Sequence, residues 1–197
     1  AGRIQFDGVT FAYKGGQAVL QDVTFDVAPG ETVAVVGATG SGKSTLVSLL
    51  LREHDPDAGR IQVDGVDIRQ LPLALLRGAM GYVPQDTFLF SDTIRENLAF
   101  GRPDAAEADL DAACDIAQMS ETIDELPEGY NTLLGERGLN LSGGQKQRLA
   151  IARAVLRDPA ILILDDALAS VDTHTEEAIL QGLHRVMATR TSLIIAH

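Results

Sequence analysis

The sequence predicts an α/β fold: a parallel core sheet, an antiparallel sheet ahead of a phosphate-binding loop, and a helical block between the core strands. Three observations carry this. Gly37-Ala38-Thr39-Gly40-Ser41-Gly42-Lys43-Ser44-Thr45 fits G-x-x-x-x-G-K-[ST], with the β-branched run Thr32–Val36 before it and the breaker-free run Ser44–Leu51 after it. Ala160–Leu164 is continuously apolar and ends in Asp165-Asp166, the pattern of a strand buried on both faces. Ile4, Phe6, Val9, Phe11 and Tyr13 fall mostly two apart, as half-buried strand residues do.

The first strands run from residue 3 to 27 across the turn Lys14-Gly15-Gly16. Tyr13 is either a core aromatic or a ring on which a base stacks. In the loop that follows, Gly37, Gly40 and Gly42 let backbone N–H groups turn toward an anion, and the new helix points its positive end at the same place. Lys43 supplies a charge for the outer phosphates, and Ser44 is placed to ligate Mg²⁺.

Asp55-Pro56-Asp57-Ala58-Gly59 is a turn, Gly59–Gly65 a short strand, and residues 72–77 a short helix with Pro72 in its first turn. Met80–Val83 is a strand broken by Pro84. Gln85 stands at its end, as a solvated loop amide or as a Mg²⁺ or water ligand. Residues 91–126 read as helices, opening with N-cap chemistry at Ser91-Asp92-Thr93-Ile94 and closing at Pro127-Glu128-Gly129. From Gln145 to Leu156 the pattern is helical, with Lys146, Arg148 and Arg153 outside. Ser142 is its natural N-cap, and Gly143 and Gly144 leave the entrance bare, so a second helix tip can receive an anion.

At the acid strand, Asp165 is positioned to hold Mg²⁺ through water and Asp166 to face the attacking water. Thr173-x-x-Glu176 reads as a capping box ahead of a helix carrying Ile179, Leu183, Val186 and Met187 on one face. His174 and His184 lie ten apart without metal-ligand spacing and read as surface residues. Thr191–Ala196 is another buried strand, and His197 stands at its C-terminal edge.

The 197 residues suffice for one sizeable domain, and 45% hydrophobic with 22% charged residues suits a soluble globular protein. No apolar run approaches the roughly 18–20 residues that span a bilayer, no secretory leader is legible, and the start at Ala1 reads as a domain boundary. A net charge of −12 argues against a broad nucleic-acid surface. The single cysteine, Cys114, excludes an internal disulfide. It lies in an apolar helical pattern, so it reads as core.

Phosphate loop, Gln85, Leu141-Ser142-Gly143-Gly144-Gln145, acid strand and His197 follow one another in an order that resembles the ATP-binding-cassette family over nearly the whole chain. The resemblance implies a phosphate-loop NTPase with a RecA-like core (about 1–90 and 158–197) and a helical subdomain (about 91–157). It implies that two such domains dimerise head to tail. Each ATP, with Mg²⁺, is then held by Gly37–Thr45 of one and Ser142–Gln145 of the other. Tyr13 matches the family's adenine-stacking aromatic, Gln85 its Q-loop, and His197 the switch histidine that senses the γ-phosphate.

Ser91–Asn97 and Thr132–Gly138 resemble the exporter branch, the latter where exporters meet the coupling helices of the membrane domain. The chain is then the motor of an exporter at the cytoplasmic face of the cell membrane. Its partners are a transmembrane domain on the same or an associated chain and a second nucleotide-binding domain, with no nucleic acid. The family domain continues past the histidine, so the chain reads as clipped there.

Two residues depart from the family pattern. Asp166 stands where Glu is usual, and Ala169 where Ser is usual. Losing a methylene draws the carboxylate back by about 1 Å, a displacement that can cost on the order of 10²-fold in rate. The pattern resembles the degenerate-site half of a heterodimeric exporter, whose own site turns ATP over poorly. A homodimer stays open. A non-hydrolysing regulatory module and a soluble DNA-associated ATPase are the alternatives. The second is disfavoured by the charge and by the short, heptad-free spacing from Lys43 to Ser142.

Overall fold

The computed structural model describes residues 2–136 and 140–196 and divides into two compact units. One unit comprises residues 1–81, 159–165 and 187–197, and the other residues 82–158 and 166–186.

The first unit holds two sheets. β1 (Ile4–Ala12) pairs antiparallel with β2 (Ala18–Val27), the hairpin expected from the alternation. Its turn closes through the Gly16 N–H donating to the Tyr13 carbonyl at 2.9 Å. β1 also pairs with β4 (Ala58–Val63), and β4 with the two-residue β5 (Val66–Asp67), giving the order β2-β1-β4-β5. Residues 58–67 therefore join the N-terminal sheet, a pairing across some fifty residues that no local pattern records.

The second sheet has the order β3-β8-β7-β6: β3 (Thr32–Val36), β8 (Thr191–Ala196), β7 (Ile161–Asp165) and β6 (Met80–Val83). β8 lies parallel to both β3 and β7. Every residue of β7 is buried, as its continuous apolar run requires. Burying such side chains contributes about 1.5–3 kcal/mol each, so the strand fixes the position of Asp165 at its end. α1 (Lys43–Leu50) leaves the phosphate loop, and α2 (Leu73–Gly78) starts one residue later than expected, with Pro72 in the cap position.

The second unit is mainly helical: α3 (Ile94–Ala99), α4 (Glu107–Ile116), α5 (Ser120–Asp124), α6 (Gly143–Leu156) and most of α7 (Thr173–Met187). Thr93 caps α3 by accepting from the Glu96 N–H at 3.1 Å. Cys114 is fully buried on α4. His174 and His184 are exposed on α7.

Two expectations need correction. The cap of α7 is not Thr173, which is already helical. Asp172 accepts from the Thr175 N–H at 3.0 Å, and that backbone donor holds its carboxyl below the ordinary range. Aspartate is the better cap, so the helix begins one residue earlier in its pattern. Arg148 and Arg153 of α6 are not free outer charges either. Arg148 donates to the Gln118 carbonyl, and Arg153 to the Phe88 carbonyl at 3.1 Å. Among the described residues, no helix is long and apolar enough to cross a membrane.

Candidate functional site

The phosphate loop of the first unit is shaped by its glycines, but for more reasons than anion access. Gly40 has φ +80 and open space beside it, the backbone freedom the motif requires. Gly42, at φ +96, also lies under β2: a Cβ there would come within 2.9 Å of Leu20 Cδ2. A Cβ on Gly37 would lie 2.8 Å from Ser41 Oγ. Lys43 is 6% exposed, and its ammonium donates to the Gly37 and Ala38 carbonyls at 2.6 and 3.0 Å. Ala38, Thr39, Gly40 and Ser41 form the exposed rim, and the Ser44 side chain is exposed at the helix start.

Thr45 is buried, and its hydroxyl lies 3.2 Å from the Tyr13 hydroxyl. Tyr13 is 44% exposed and meets Phe11 and His54 edge-on at 5.0 and 5.5 Å. It is therefore no core aromatic: its ring stands at the surface, tied by its hydroxyl to the helix that leaves the phosphate loop. Asp165 is 3% exposed at the C-terminal end of β7 in the same unit. A compact ammonium in a glycine loop, an exposed serine hydroxyl and a carboxylate at a strand end form the donor set that a polyphosphate with a hard divalent cation requires. The residues present fit that group.

In the second unit, Gln85 is exposed just beyond β6. Ser142 and Gln145 close a capping box: Ser142 Oγ accepts from the Gln145 N–H at 3.2 Å, and the Gln145 side chain accepts from the Ser142 N–H at 2.9 Å. The S-x-x-Q spacing of this reciprocal cap was legible in the sequence. Ser142 and Gly143 are exposed, so the tip of α6 is open to a ligand. A Cβ on Gly144 would stand 2.9 Å from the Ser170 carbonyl oxygen, so this glycine permits a close backbone approach as well as a bare helix entrance.

Asp166 is half-buried with φ +48, an uncommon backbone state for a residue bearing a side chain. The loop after it is turned by the Ala169 N–H on the Asp166 carbonyl at 3.2 Å and the Val171 N–H on the Leu168 carbonyl at 3.0 Å. Gln147, which sequence reasoning passed over, is 4% exposed and accepts from the Ser170 N–H at 2.9 Å. A signal for it existed: Gln147 shares the apolar stripe of Ala150, Ile151 and Ala154.

The two exporter-like stretches are joined in this unit. Thr93 bridges to Leu133, the Ile94 N–H donates to the Thr132 carbonyl at 3.0 Å, and the Leu134 N–H to the Asp92 carbonyl at 2.9 Å. Buried Asn97 fastens the preceding segment, accepting from the Phe90 N–H at 2.8 Å and donating to the Phe90 and Thr93 carbonyls at 3.0 and 2.9 Å. Beside it, Phe88, Phe90 and Phe100 are exposed, with ring centroids 5.1 and 4.6 Å apart. His197, and Arg137 and Gly138 of the second stretch, lie outside the described residues.

A parallel sheet, a lysine-bearing glycine loop that opens a helix, and an acid strand define a phosphate-loop NTPase fold. The chain belongs to the ABC transporter family, whose pattern matches residues 20–169. Domains of this family bind ATP. The chain is similar to the human ATP-binding cassette sub-family B member 6, at 50% identity over 196 residues, covering 100% of this chain and 23% of that protein. It is also similar to the mitochondrial iron-sulfur clusters transporter ATM1 of Kluyveromyces lactis, at 48% identity, covering 98% of this chain and 27% of that protein. Among solved structures, a bacterial Atm1-family ABC exporter with ATP bound matches with a TM-score of 0.95 and 47% identity, covering 100% of this chain and 34% of the other. The chain thus spans about a quarter of the length of the curated relatives it matches.

Proposed function

We propose that this chain is the ATP-hydrolysing motor of a membrane exporter, working as a head-to-tail pair with a second nucleotide-binding domain. The observation that carries the reading is the pairing of two phosphate-ready helix starts in one chain: the Lys43 loop and the exposed, reciprocally capped tip Ser142–Gln145. The first holds the phosphates of one nucleotide with Gly37–Thr45, while Tyr13 stacks its adenine. The second closes on the nucleotide of the partner. Ser44, Gln85 and Asp165 would be the Mg²⁺ ligands, the ion supplying charge neutralisation at the phosphates, while Asp166 would face the attacking water and His197 would sense the terminal phosphate. In domain terms, residues of about 1–90 and 158–197 form the core and about 91–157 the helical part that carries the tip.

The docking surface for the transmembrane domain is the aromatic cluster Phe88, Phe90 and Phe100 with the bridged segments at Thr93 and Leu133. Phe90 contacts both Phe88 and Phe100, and three exposed phenylalanines joined in this way are costly to leave in water and suit an apolar helix end. On this reading the domain works at the cytoplasmic face of the cell membrane, docked on its transmembrane domain.

A second reading is supported by Asp166: the chain binds ATP but turns it over slowly at its own acid strand, serving as the weak half of a heterodimer. Nucleotide binding and phosphate release, measured with and without Lys43→Ala, test the first reading. It fails if the wild-type protein binds no Mg-ATP or if Lys43→Ala hydrolyses as fast as wild type. Adding Asp166→Glu to the same assay separates the second reading from the first.

A further inference from the structure

We infer that Gln147 is a positioning residue that ties the loop carrying Asp166 to the helix carrying the Ser142–Gln145 tip. The inference rests on the ATPase reading above and extends it to a residue outside the motifs.

Gln147 lies on the inward stripe of α6 and is 4% exposed. A buried amide oxygen without a donor would be destabilising, and here it is met by a backbone N–H twenty-three residues further on. That N–H belongs to Ser170, in the middle of the loop that begins at Asp166. The other side of the same residue is held as closely. Its carbonyl oxygen sits where a Cβ on Gly144 would come within 2.9 Å, and its Cβ where one on Gly143 would come within 3.6 Å. Ser170 therefore straddles the first turn and a half of α6, fixed through its N–H by Gln147 and confined through its carbonyl by Gly144.

The loop has little slack on either side of that clamp. Asp166 begins it in the left-handed region, which persists only where surrounding contacts enforce it. The Ala169 N–H turns back onto the Asp166 carbonyl, and Asp172 ends the loop by capping α7. When the α6 tip closes on a nucleotide, Ser170 moves with it and sets the backbone from which the Asp166 carboxylate projects. Nucleotide binding by the Lys43 loop does not pass through this contact. Gln147 thus governs turnover rather than ATP affinity.

The test uses the full-length protein, with steady-state ATPase measured over a range of ATP concentrations, thermal unfolding followed in parallel, and Lys43→Ala as reference. Gln147→Met keeps the length and burial but removes the acceptor. It is expected to lower kcat about tenfold, within the roughly 10²-fold that a displacement of about 1 Å can cost, with KM for ATP within about twofold. Gln147→Glu presents an acceptor oxygen at the same reach in either protonation state and is expected to recover most of the rate. Gln147→Asn withdraws the oxygen by one methylene and is expected to fall between. It also serves if Gln147→Met does not fold. Wild-type kcat in Gln147→Met or in Gln147→Asn overturns the inference. So does a loss that Gln147→Glu does not relieve, or one that appears as a raised KM. If wild type does not hydrolyse ATP, or Lys43→Ala hydrolyses as fast, it is the ATPase reading that fails.

Discussion

The Lys43 ammonium donates to the Gly37 carbonyl oxygen at 2.6 Å, across the mouth of the loop that both residues bound. The same ammonium holds the Ala38 carbonyl at 3.0 Å, so the cation keeps two carbonyl dipoles turned toward it and keeps the loop's shape. A buried, compact ammonium does this, whereas a planar guanidinium is larger and needs a different set of acceptors.

Lys43→Met is therefore expected to reduce ATP hydrolysis by about 10²-fold or more, the scale for removing a charge-stabilising donor. Lys43→Arg is expected to be nearly as inactive despite keeping the charge, because Lys43 is 6% exposed and leaves no room for the fork. Phosphate release with the two purified variants checks this. Substantial activity in Lys43→Arg would show that charge alone suffices.

Tyr13 separates into two functions that two substitutions resolve. Its hydroxyl reaches Thr45 at 3.2 Å, and its ring is 44% exposed. Tyr13→Phe removes only the hydroxyl contact and is expected to leave ATP affinity within about threefold, since one hydrogen bond contributes about 0.5–1.5 kcal/mol to stability and none of it to the base. Tyr13→Ala removes the stacking platform and is expected to weaken ATP by roughly 5- to 150-fold, the range that base–aromatic stacking of about 1–3 kcal/mol implies. Titration with a fluorescent ATP analogue distinguishes the two. Equal losses in both variants would mean that the ring stacks no base.

Asp166→Glu has opposed consequences for rate and stability. The longer carboxylate is expected to raise ATPase activity, by as much as the roughly 10²-fold attached to a displacement of about 1 Å. The backbone at this position has φ +48, which aspartate tolerates better than glutamate. The variant is therefore expected to lose about 1 kcal/mol, a fall of roughly 2–4 °C in Tm for a chain of this size. Phosphate release and a thermal melt read both effects from one preparation. A faster enzyme with an unchanged Tm would remove the strain argument, and an unchanged rate would remove the weak-site reading.

Much of this architecture was legible because its signals are local. The buried strand at 161–165, the hairpin at 4–27, the phosphate loop and the cap at Ser142 each follow from periodicity or from residues three or four apart. What escaped was set by partners distant in sequence. The pairing of β4 with β1, the contact of Gln147 with Ser170, and the packing of Gly42 under Leu20 depend on chain segments brought together only by folding. Asp172 escaped for another reason: two neighbouring residues could cap α7, and the box pattern at Thr173 and Glu176 concealed the better one.

Cys114 gives the second unit a pH signature. Burial pushes its thiol up from 9.0 to about 11, so the folded state disfavours the thiolate. The sign follows from the raised value. The stability this group contributes is fully present below the unfolded thiol's pKa near 9 and is lost as pH climbs from there toward 11. Two pH units correspond to on the order of 3 kcal/mol, an upper bound because other groups titrate in the same range. The neighbouring Tyr130 phenol is pushed up as well, by its own burial and by donating to Asp111 at 2.7 Å. Melting curves between pH 7.5 and about 10.5 are therefore expected to show Tm falling faster in wild type than in Cys114→Ala, whose small side chain keeps the site apolar. The same burial predicts that a small alkylating reagent at pH 8 labels Cys114 only on unfolding, with labelling and the thermal transition coinciding. Rapid labelling of the native protein, or parallel pH slopes for the two variants, would falsify the assignment of this thiol to the sealed core.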